Sequence, residues 1–199
     1  MARADEVQEV LPDLHFWQAY EPSMKVDLSC CSRRTARGTV FIDPIPLAKH
    51  ALSELVAEAP PLAIIVTGGN HARAAAEYRA RFSIPIYAHA AAAPELGIPV
   101  DHLVADEETV LDAFTVITLP GATPGEIALH GAGVLHVGDA LIHLPTPGFT
   151  ILPGKYCGDA IELRCSLGKL LRFPFEVLTF AHGLPIVARA RQRLVQLLE

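Results

Sequence analysis

The sequence predicts a layered α/β fold, in which helices pack against β-sheets. Short β-branched and apolar segments alternate with longer segments whose apolar residues recur at helical spacing. The order of strands followed by helix, strand and helix occurs twice along the chain, which predicts two similar halves. No linker rich in Pro, Gly or Ser separates them, so residues 1–199 are expected to form one domain.

The first half is predicted to start with strands and to continue as alternating helices and strands. Strands are predicted at 7–20, 25–30, 38–42, 62–66 and 84–88, and helices at 46–58, 71–82 and 90–96. Thr39-Val40-Phe41-Ile42 is β-branched and aromatic, and Asp43-Pro44 stops this strand. Leu47, Ala51 and Leu55 share one face of the first helix, and Gly97 ends the third.

The second half contains more strands. They are predicted at 100–104, 108–111, 114–119, 126–130, 134–137 and 176–180, and helices are predicted at 158–172 and 186–198. The turn Gly131-Ala132-Gly133 between two of these strands predicts a hairpin. Residues 144–154 are rich in Gly and Pro and are expected to form a loop. Whether that loop closes over a cleft is open at this point.

Composition excludes several classes of protein. The formal net charge of -6 argues against nucleic acid as a partner, because phosphate binding needs a basic face. No apolar run reaches the roughly 18 residues of a membrane span, and the polar start lacks the apolar core of a signal peptide. We therefore expect a cytoplasmic protein with no membrane partner. The cysteines are expected to be reduced thiols, namely Cys30, Cys31, Cys157 and Cys165.

Five strand ends carry the residues that bear on function. Ile64-Ile65-Val66-Thr67 has the pattern of a buried strand, and the loop Gly68-Gly69-Asn70-His71-Ala72-Arg73 follows it. The other four segments are Phe41-Ile42-Asp43-Pro44, Leu119-Pro120-Gly121-Ala122-Thr123-Pro124-Gly125-Glu126, Val137-Gly138-Asp139-Ala140-Leu141 and Ala181-His182-Gly183-Leu184-Pro185. Each segment alone is weak evidence for a particular fold, but the order and spacing of the five segments over residues 38–186 make the fold assignment specific.

Together these segments resemble the metallo-β-lactamase superfamily, which includes glyoxalase-II-like hydrolases. The resemblance implies a four-layer α/β/β/α sandwich. The family has Thr-His-x-His-x-Asp-His in the first loop and a further His in the Pro-Gly segment. Here these ligand positions hold other residues, namely Gly68, Asn70, Ala72, Arg73 and Ala122. Only Asp139 and His182 remain of seven usual ligands, so the resemblance implies a degenerate site for which no metal is expected.

Arg73 stands at the position of the third histidine of the loop. We hypothesise that its guanidinium pairs with Asp139 in place of the lost cation, and that His182 bonds to the same cluster. His71 lies one position from a ligand site. It either completes a single-metal site with Asp139 and His182, or is a first-turn helix residue that faces solvent or a neighbouring side chain.

Asn70 is open to three interpretations. It is a weak amide ligand, the N-cap of the helix that follows, or part of an anion cradle formed by the backbone N–H groups of Gly68-Gly69-Asn70. Outside this loop, Asp43 is expected to cap a turn. Glu126 begins a strand after a Pro-Gly turn, and we expect a turn or surface role for it.

Three functions remain in competition. The preferred one is a metal-free pseudoenzyme that binds an unknown small molecule or a partner. The alternative is a hydrolase of an ester or thioester with a reduced mononuclear site, zinc being held by Asp139, His182 and His71. The third is a homodimeric scaffold, because 51% of the residues are hydrophobic and surplus apolar surface tends to be covered. Metal content separates the first two functions, and solution mass tests the third.

Overall fold

Two large β-sheets form the centre of the structure, a computed structural model that describes all residues from Met1 to Glu199. The first sheet has seven strands in chain order, namely β1 (Gln8–Leu11), β2 (Leu14–Glu21), β3 (Val26–Thr35), β4 (Gly38–Ile42), β5 (Pro61–Val66), β6 (Ile86–His89) and β7 (His102–Val104). Strands β1 to β4 are antiparallel, and β4 to β7 are parallel. Three helices occupy the connections between the parallel strands, namely α1 (Lys49–Glu58), α2 (Ala75–Phe82) and α3 (Ala93–Leu96).

The second sheet has five strands in the order β14-β11-β10-β9-β8. They are β8 (Thr109–Val110), β9 (Phe114–Thr118), β10 (Ile127–Gly131), β11 (Val134–Val137) and β14 (Val177–Phe180). Strands β11 and β14 are parallel, and the other pairs are antiparallel. A small separate hairpin consists of β12 (Leu141–Leu144) and β13 (Gly148–Ile151). A 3-10 turn at Gly154–Tyr156 precedes α4 (Ala160–Leu170), and α5 (Ala190–Leu198) ends the chain.

Three apolar layers hold the four-layer α/β/β/α sandwich together. One lies between the first sheet and its helices and includes Phe41, Leu52 and Tyr78. A second lies between the two sheets, where Ile65 of the first sheet shares a cluster with Leu129 of the second. The third lies between the second sheet and α4 and α5. Because each sheet is covered on both faces, its central strands are apolar throughout, as the burial of Ile64, Ile65 and Val66 illustrates.

The predicted α/β sandwich is confirmed, and two segments differ from the prediction. The helix predicted at 71–82 begins only at Ala75, so His71 lies in a loop. The segment 144–154 contains β13 and the turn of the β12–β13 hairpin rather than an irregular loop. All four cysteines are free thiols, and Cys30 and Cys31 are buried. None of the five helices has the length and apolar character that a membrane-spanning helix requires.

Candidate metal centre

The carboxyl ends of parallel strands bring the polar residues to one edge of the sandwich. In the β11–β14 pair Val137 is opposite Phe180, and Asp139 and His182 each follow two residues later. In the β4–β5 pair Ile42 is opposite Ile65, and Asp43 and Thr67 follow these strands. Ligands of α/β proteins commonly bind beyond the carboxyl ends of strands. The predicted Asp139–His182 pair therefore arises directly from strand pairing.

His71, Asp139 and His182 form a compact cluster. Oδ1 of Asp139 lies 3.1 Å from Nε2 of His71 and 3.2 Å from Nε2 of His182. One ligand atom from each of the three residues lies within 4.8 Å of the other two. His71 is 1% exposed and Asp139 is 6% exposed, so water screens this cluster poorly. These three side chains are the set that the sequence left open as a single-metal site.

Each histidine of the cluster has its other ring nitrogen held by an acceptor. Nδ1 of His71 lies 3.0 Å from Oδ2 of Asp43, and Nδ1 of His182 lies 3.0 Å from the carbonyl oxygen of Asp27. If both Nδ1 atoms carry the proton, the neutral rings direct two Nε2 lone pairs at the Asp139 carboxylate. Three electron-rich atoms then converge, so the cluster requires a positive charge, supplied by a metal or by further protons.

The position of His71 corrects one interpretation of the loop. It is not a solvent-facing residue of the first helical turn, because α2 starts four residues later and the imidazole is buried between Asp43 and Asp139. Burial lowers the pKa of His71, but the two carboxylates outweigh burial and raise it to about 10. The same interactions lower the pKa of Asp139 well below its usual range.

Asn70 is not the N-cap of α2, since Ala74 occupies that position. Its side-chain nitrogen donates to Oδ2 of Asp139 over 2.7 Å. This hydrogen bond orients the carboxylate so that its other oxygen, Oδ1, faces the two histidines. Asn70 is therefore a positioning residue of the cluster.

Arg73 does not pair with Asp139, which corrects the charge-replacement hypothesis. Its guanidinium donates to the carbonyl oxygens of Ser29 at 2.6 Å, Asp43 at 3.2 Å and Ala181 at 3.1 Å. These carbonyls lie in β3 and just after β4 and β14, so one side chain joins the two sheets. The carbonyl of Ala181 also accepts the N–H of Ser29 at 2.8 Å, and the five N–H groups of an arginine allow one side chain to bond all three carbonyls.

Two further residues, Asp43 and His136, support the cluster, although the sequence did not predict this role for either of them. Asp43 is fully buried, accepts the Thr67 N–H at 2.8 Å and also accepts the Thr67 hydroxyl. His136 has Nδ1 2.8 Å from Oγ1 of Thr179 and Nε2 3.7 Å from the Asp43 carboxylate. Asp43 therefore orients His71 instead of merely capping a turn. The signals for Asp43 in the sequence were its position directly after a buried strand and the resemblance of Phe41-Ile42-Asp43-Pro44 to a segment of the superfamily.

Glu126 is buried, with 2% exposure, and not at the surface as expected. Its Oε1 accepts the N–H of Ala140 at 3.0 Å, and its Oε2 accepts the hydroxyl of Thr123 at 2.9 Å. A Cβ atom added at Gly68 would lie 2.8 Å from Oε2, and one added at Gly138 would lie 2.5 Å from Oε1. Because Gly68 and Gly138 have no side chains, the Glu126 carboxylate can occupy the space next to them.

The Gly68-Gly69-Asn70 loop is not an open anion cradle, because carboxylates of the chain itself lie against it. Besides Glu126 at Gly68, Oε2 of Glu95 would lie 2.6 Å from a Cβ added at Gly69. A second anion at this loop would be repelled. Burial, followed by the charge of Asp139, raises the pKa of Glu126 to about 7.

We predict that Gly68→Ala destabilises the protein by about 1–3 kcal/mol, because the added methyl group overpacks against the held Glu126 carboxylate. Urea denaturation at neutral pH measures this change. Gly168→Ala in α4 is the matched control, since nothing lies within 4 Å of the added Cβ. The control should be neutral or more stable by about 0.5–1 kcal/mol. Equal effects of both substitutions would contradict the described packing.

A cavity of about 530 Å³ lies beside Glu126. Its wall includes residues 118–126, which connect β9 to β10, as well as His89, Asp159 and Glu162. Asp159 caps α4 by accepting the N–H groups of Ile161 and Glu162. No Lys or Arg lines this cavity, so its wall is acidic.

The sequence also matches a known family over nearly its whole length. A family model described as the metallo-β-lactamase superfamily matches residues 8–198. The chain belongs to the metallo-β-lactamase superfamily. No protein of curated function matches the sequence significantly.

Solved metallo-β-lactamases share the fold at low sequence identity. The DIM-1 metallo-β-lactamase is 14% identical, with a TM-score of 0.76 and 98% of each chain covered. The metallo-β-lactamase of Pontibacter korlensis is 17% identical, with a TM-score of 0.75, and the match covers 97% of this chain and 98% of that one. A di-iron-bound form of TTHA1623 is 24% identical, with a TM-score of 0.63, and the match covers 80% of this chain and 89% of that one. At these identities the likeness concerns the fold.

His71, Asp139 and His182 form a group whose donor atoms could hold one metal ion. Five of the seven usual ligand positions hold Gly68, Asn70, Ala72, Arg73 and Ala122, and Arg73 is committed to main-chain carbonyls. For a single ion, tetrahedral zinc ligands at their usual bond lengths are about 3.3 Å apart. The separations of 3.1 Å and 3.2 Å from Asp139 to the two histidines are close to this value.

Proposed function

We propose that the protein is a hydrolase that uses one divalent metal ion, held by His71, Asp139 and His182, and acts on an ester or thioester. The observation that carries this proposal is the pairing of each histidine with a second acceptor. Ligand histidines commonly donate their other N–H to a carboxylate or carbonyl, as His71 does to Asp43 and His182 does to Asp27. Three protein ligands and one open position are typical of catalytic zinc.

The bound metal would supply Lewis acidity to the carbonyl group of the substrate. The chain's own residues prepare the site for it. Asp43 and the carbonyl of Asp27 hold the protons of the two histidines on Nδ1, which leaves Nε2 as the ligand atom. Asn70 fixes the rotation of the Asp139 carboxylate through Oδ2.

Elemental analysis is the first test of this function. Untagged protein is purified without chelator, challenged with excess zinc, iron or manganese, and freed of unbound metal. We expect close to one equivalent per chain and hydrolysis of esters or thioesters in a substrate screen. Protein that retains no metal under any of these conditions would contradict the proposal.

A metal-free ligand-binding protein is the second candidate, and one observation favours it. Both ring nitrogens of His71 face carboxylate oxygens, at 3.0 Å to Asp43 and 3.1 Å to Asp139. A doubly protonated imidazole satisfies both carboxylates and supplies the positive charge without a metal. Its raised pKa, about 10, agrees with this state.

The two candidates differ in how stability depends on pH. In metal-free protein, the contribution of His71 is fully present below its unfolded pKa of 6.5 and is lost as the pH rises to about 10. The contribution of Asp139, whose pKa is lowered, is present above its unfolded pKa of 3.8 and is lost in acid. The free energy of unfolding should therefore be highest between these two unfolded values and decline towards pH 10.

Urea denaturation in the presence of a chelator measures this decline, with His71→Gln as the variant that should lack its His71 part. Added zinc should reduce the decline, because metal ligands must be deprotonated and the ion replaces the proton at high pH. An unchanged curve with zinc favours the metal-free candidate. A flat curve in chelator would contradict a charged His71 altogether.

A further inference from the structure

Arg33 is buried between the two sheets, at the end of the sandwich opposite the metal cluster. Its partners on the adjoining strands are Leu14 and Val40, which belong to the apolar layer between the sheets. Strand β4 runs from Gly38 at this end to Ile42 at the end that holds the cluster. The side chain of Arg33 is only 8% exposed. A charged group in this position needs hydrogen-bond acceptors, because burying a charge without them is costly.

The chain satisfies only part of the Arg33 guanidinium. Its Nη2 atom lies 2.9 Å from Oδ2 of Asp13. Its Nη1 atom is buried and has no acceptor among the protein atoms. Hydrogen bonds from a guanidinium to an anionic oxygen are among the strong ones in proteins, and Nη1 has both of its N–H groups free to make them. An oxygen acceptor from a bound molecule would complete the hydrogen bonding of this residue.

Two further arginines, Arg34 and Arg37, line a cavity together with Arg33. The opposite wall comes from the second sheet, through residues 111–114 and 131–132. The cavity has a volume of about 360 Å³, which is within the roughly 300–1,000 Å³ typical of small-molecule sites. Three guanidinium groups on one concave wall favour an oxyanion, because the planar fork of arginine matches the oxygens of carboxylates and phosphates.

The carboxylates that pair with these arginines leave donors for a ligand. Arg34 donates through Nη1 to Glu58 at 2.9 Å, and Glu58 lies outside the cavity lining. Arg37 pairs with Asp112 at 3.3 Å, and both side chains are exposed, so this pair is weak. The lining contains three arginines against two acidic residues, Asp13 and Asp112. The wall is therefore basic, although the formal net charge of the chain is -6.

We propose that this cavity binds a phosphate group, which accepts hydrogen bonds from Arg33 and Arg37 and lies against the second sheet at Phe114. A phosphate suits three guanidinium groups better than a carboxylate, because it carries about −1.5 to −2 charge and offers three acceptor oxygens. Inorganic phosphate and a phosphorylated small molecule share this chemistry, and the test separates them. The site lies at the other end of the sandwich from His71, so it does not depend on the proposed hydrolase function.

Phenyl phosphate, inorganic phosphate and neutral phenol are the probes. Each is titrated at neutral pH and constant ionic strength into the full-length, isotope-labelled protein, and the amide resonances of Ala36 and Ala132 in the cavity wall are followed by NMR. We expect saturable shifts with both phosphates and at least about 10-fold weaker binding of phenol, because hydrogen bonds to charged groups are stronger. Tighter binding of phenyl phosphate would identify a phosphorylated molecule as the ligand, and equal binding would identify free phosphate.

Arg33→Met should abolish phosphate binding at this cavity. Arg37→Gln provides a second variant if Arg33→Met fails to fold, and it should weaken phenyl phosphate binding several-fold. Arg172→Gln is the matched control and should bind as the unmodified protein does, because Arg172 is also exposed and ion-paired, to Glu107 at 2.8 Å, but lies outside the cavity. The absence of saturable shifts, equal affinity for phenol, or equal losses in Arg37→Gln and Arg172→Gln would overturn the inference.

Discussion

Asp139→Asn is expected to weaken metal binding by about 100-fold or more, since loss of even an outer partner of a ligand commonly costs about 10- to 100-fold. Oδ1 of Asp139 is the atom that both histidines face, at 3.1 Å and 3.2 Å. An amide in its place offers only a neutral oxygen to the ion and leaves the two imidazoles without their carboxylate. Competition with a chromophoric zinc chelator measures the change in affinity.

The control for this experiment is Asp112→Asn, because the side chain of Asp112 is 86% exposed and far less constrained. It should bind zinc as the unmodified protein does. In the metal-free state Asp139→Asn should also lose about 3–5 kcal/mol of stability, because charged His71 keeps only one of its two carboxylates. A variant that retained zinc affinity would exclude Asp139 from the ligand set and with it the single-metal site.

Arg73→Met should produce the second large effect, a loss of about 3 kcal/mol or more in the free energy of unfolding. Methionine keeps much of the length of the side chain but cannot donate to the carbonyls of Ser29, Asp43 and Ala181. The carbonyl of Ala181 keeps the N–H of Ser29, but those of Ser29 and Asp43 lose this donor, and a carbonyl left unsatisfied in a buried region costs about 1–3 kcal/mol. Urea denaturation followed by circular dichroism measures the change.

Arg81→Met is the matched control for Arg73, because Arg81 lies exposed on α2 and its guanidinium is 5.3 Å from the ring centre of Phe82. It should cost less than about 1 kcal/mol. If Arg73 instead replaced a metal cation, Arg73→Met would lower the free energy of unfolding only in protein whose Asp139 is charged. Equal destabilisation in the Asp139→Asn background would support the role of Arg73 as a link between the sheets.

The charged side chains of this cleft are paired differently from the pairing that the ligand positions alone had suggested. The cation expected in place of the missing ligands was Arg73, yet the residue between the two aspartates is His71. The cause is the path of the loop. Arg73 has a φ of 36° and α2 begins at Ala75, so the segment does not continue the helix as its alanine content predicts. A shift of this kind moves His71 inward and turns Arg73 towards the sheet ends.

The hydrophobic periodicity of the sequence determined a layered α/β fold and most of its strands and helices in order. The sandwich and the closeness of Asp139 to His182 came from the resemblance of five segments to the metallo-β-lactamase superfamily, and the structure explains that closeness by parallel strand pairing, in which residues at equal offsets past the strands become neighbours. Only the tertiary structure decided the roles of His71, Arg73 and Glu126. Their partners lie far away in the chain, since His71 meets Asp139 across 68 positions and Arg73 meets Ala181 across 108. The path of the loop and the contacts between the two sheets bring such residues together, and no local pattern of residue types encodes these long-range contacts.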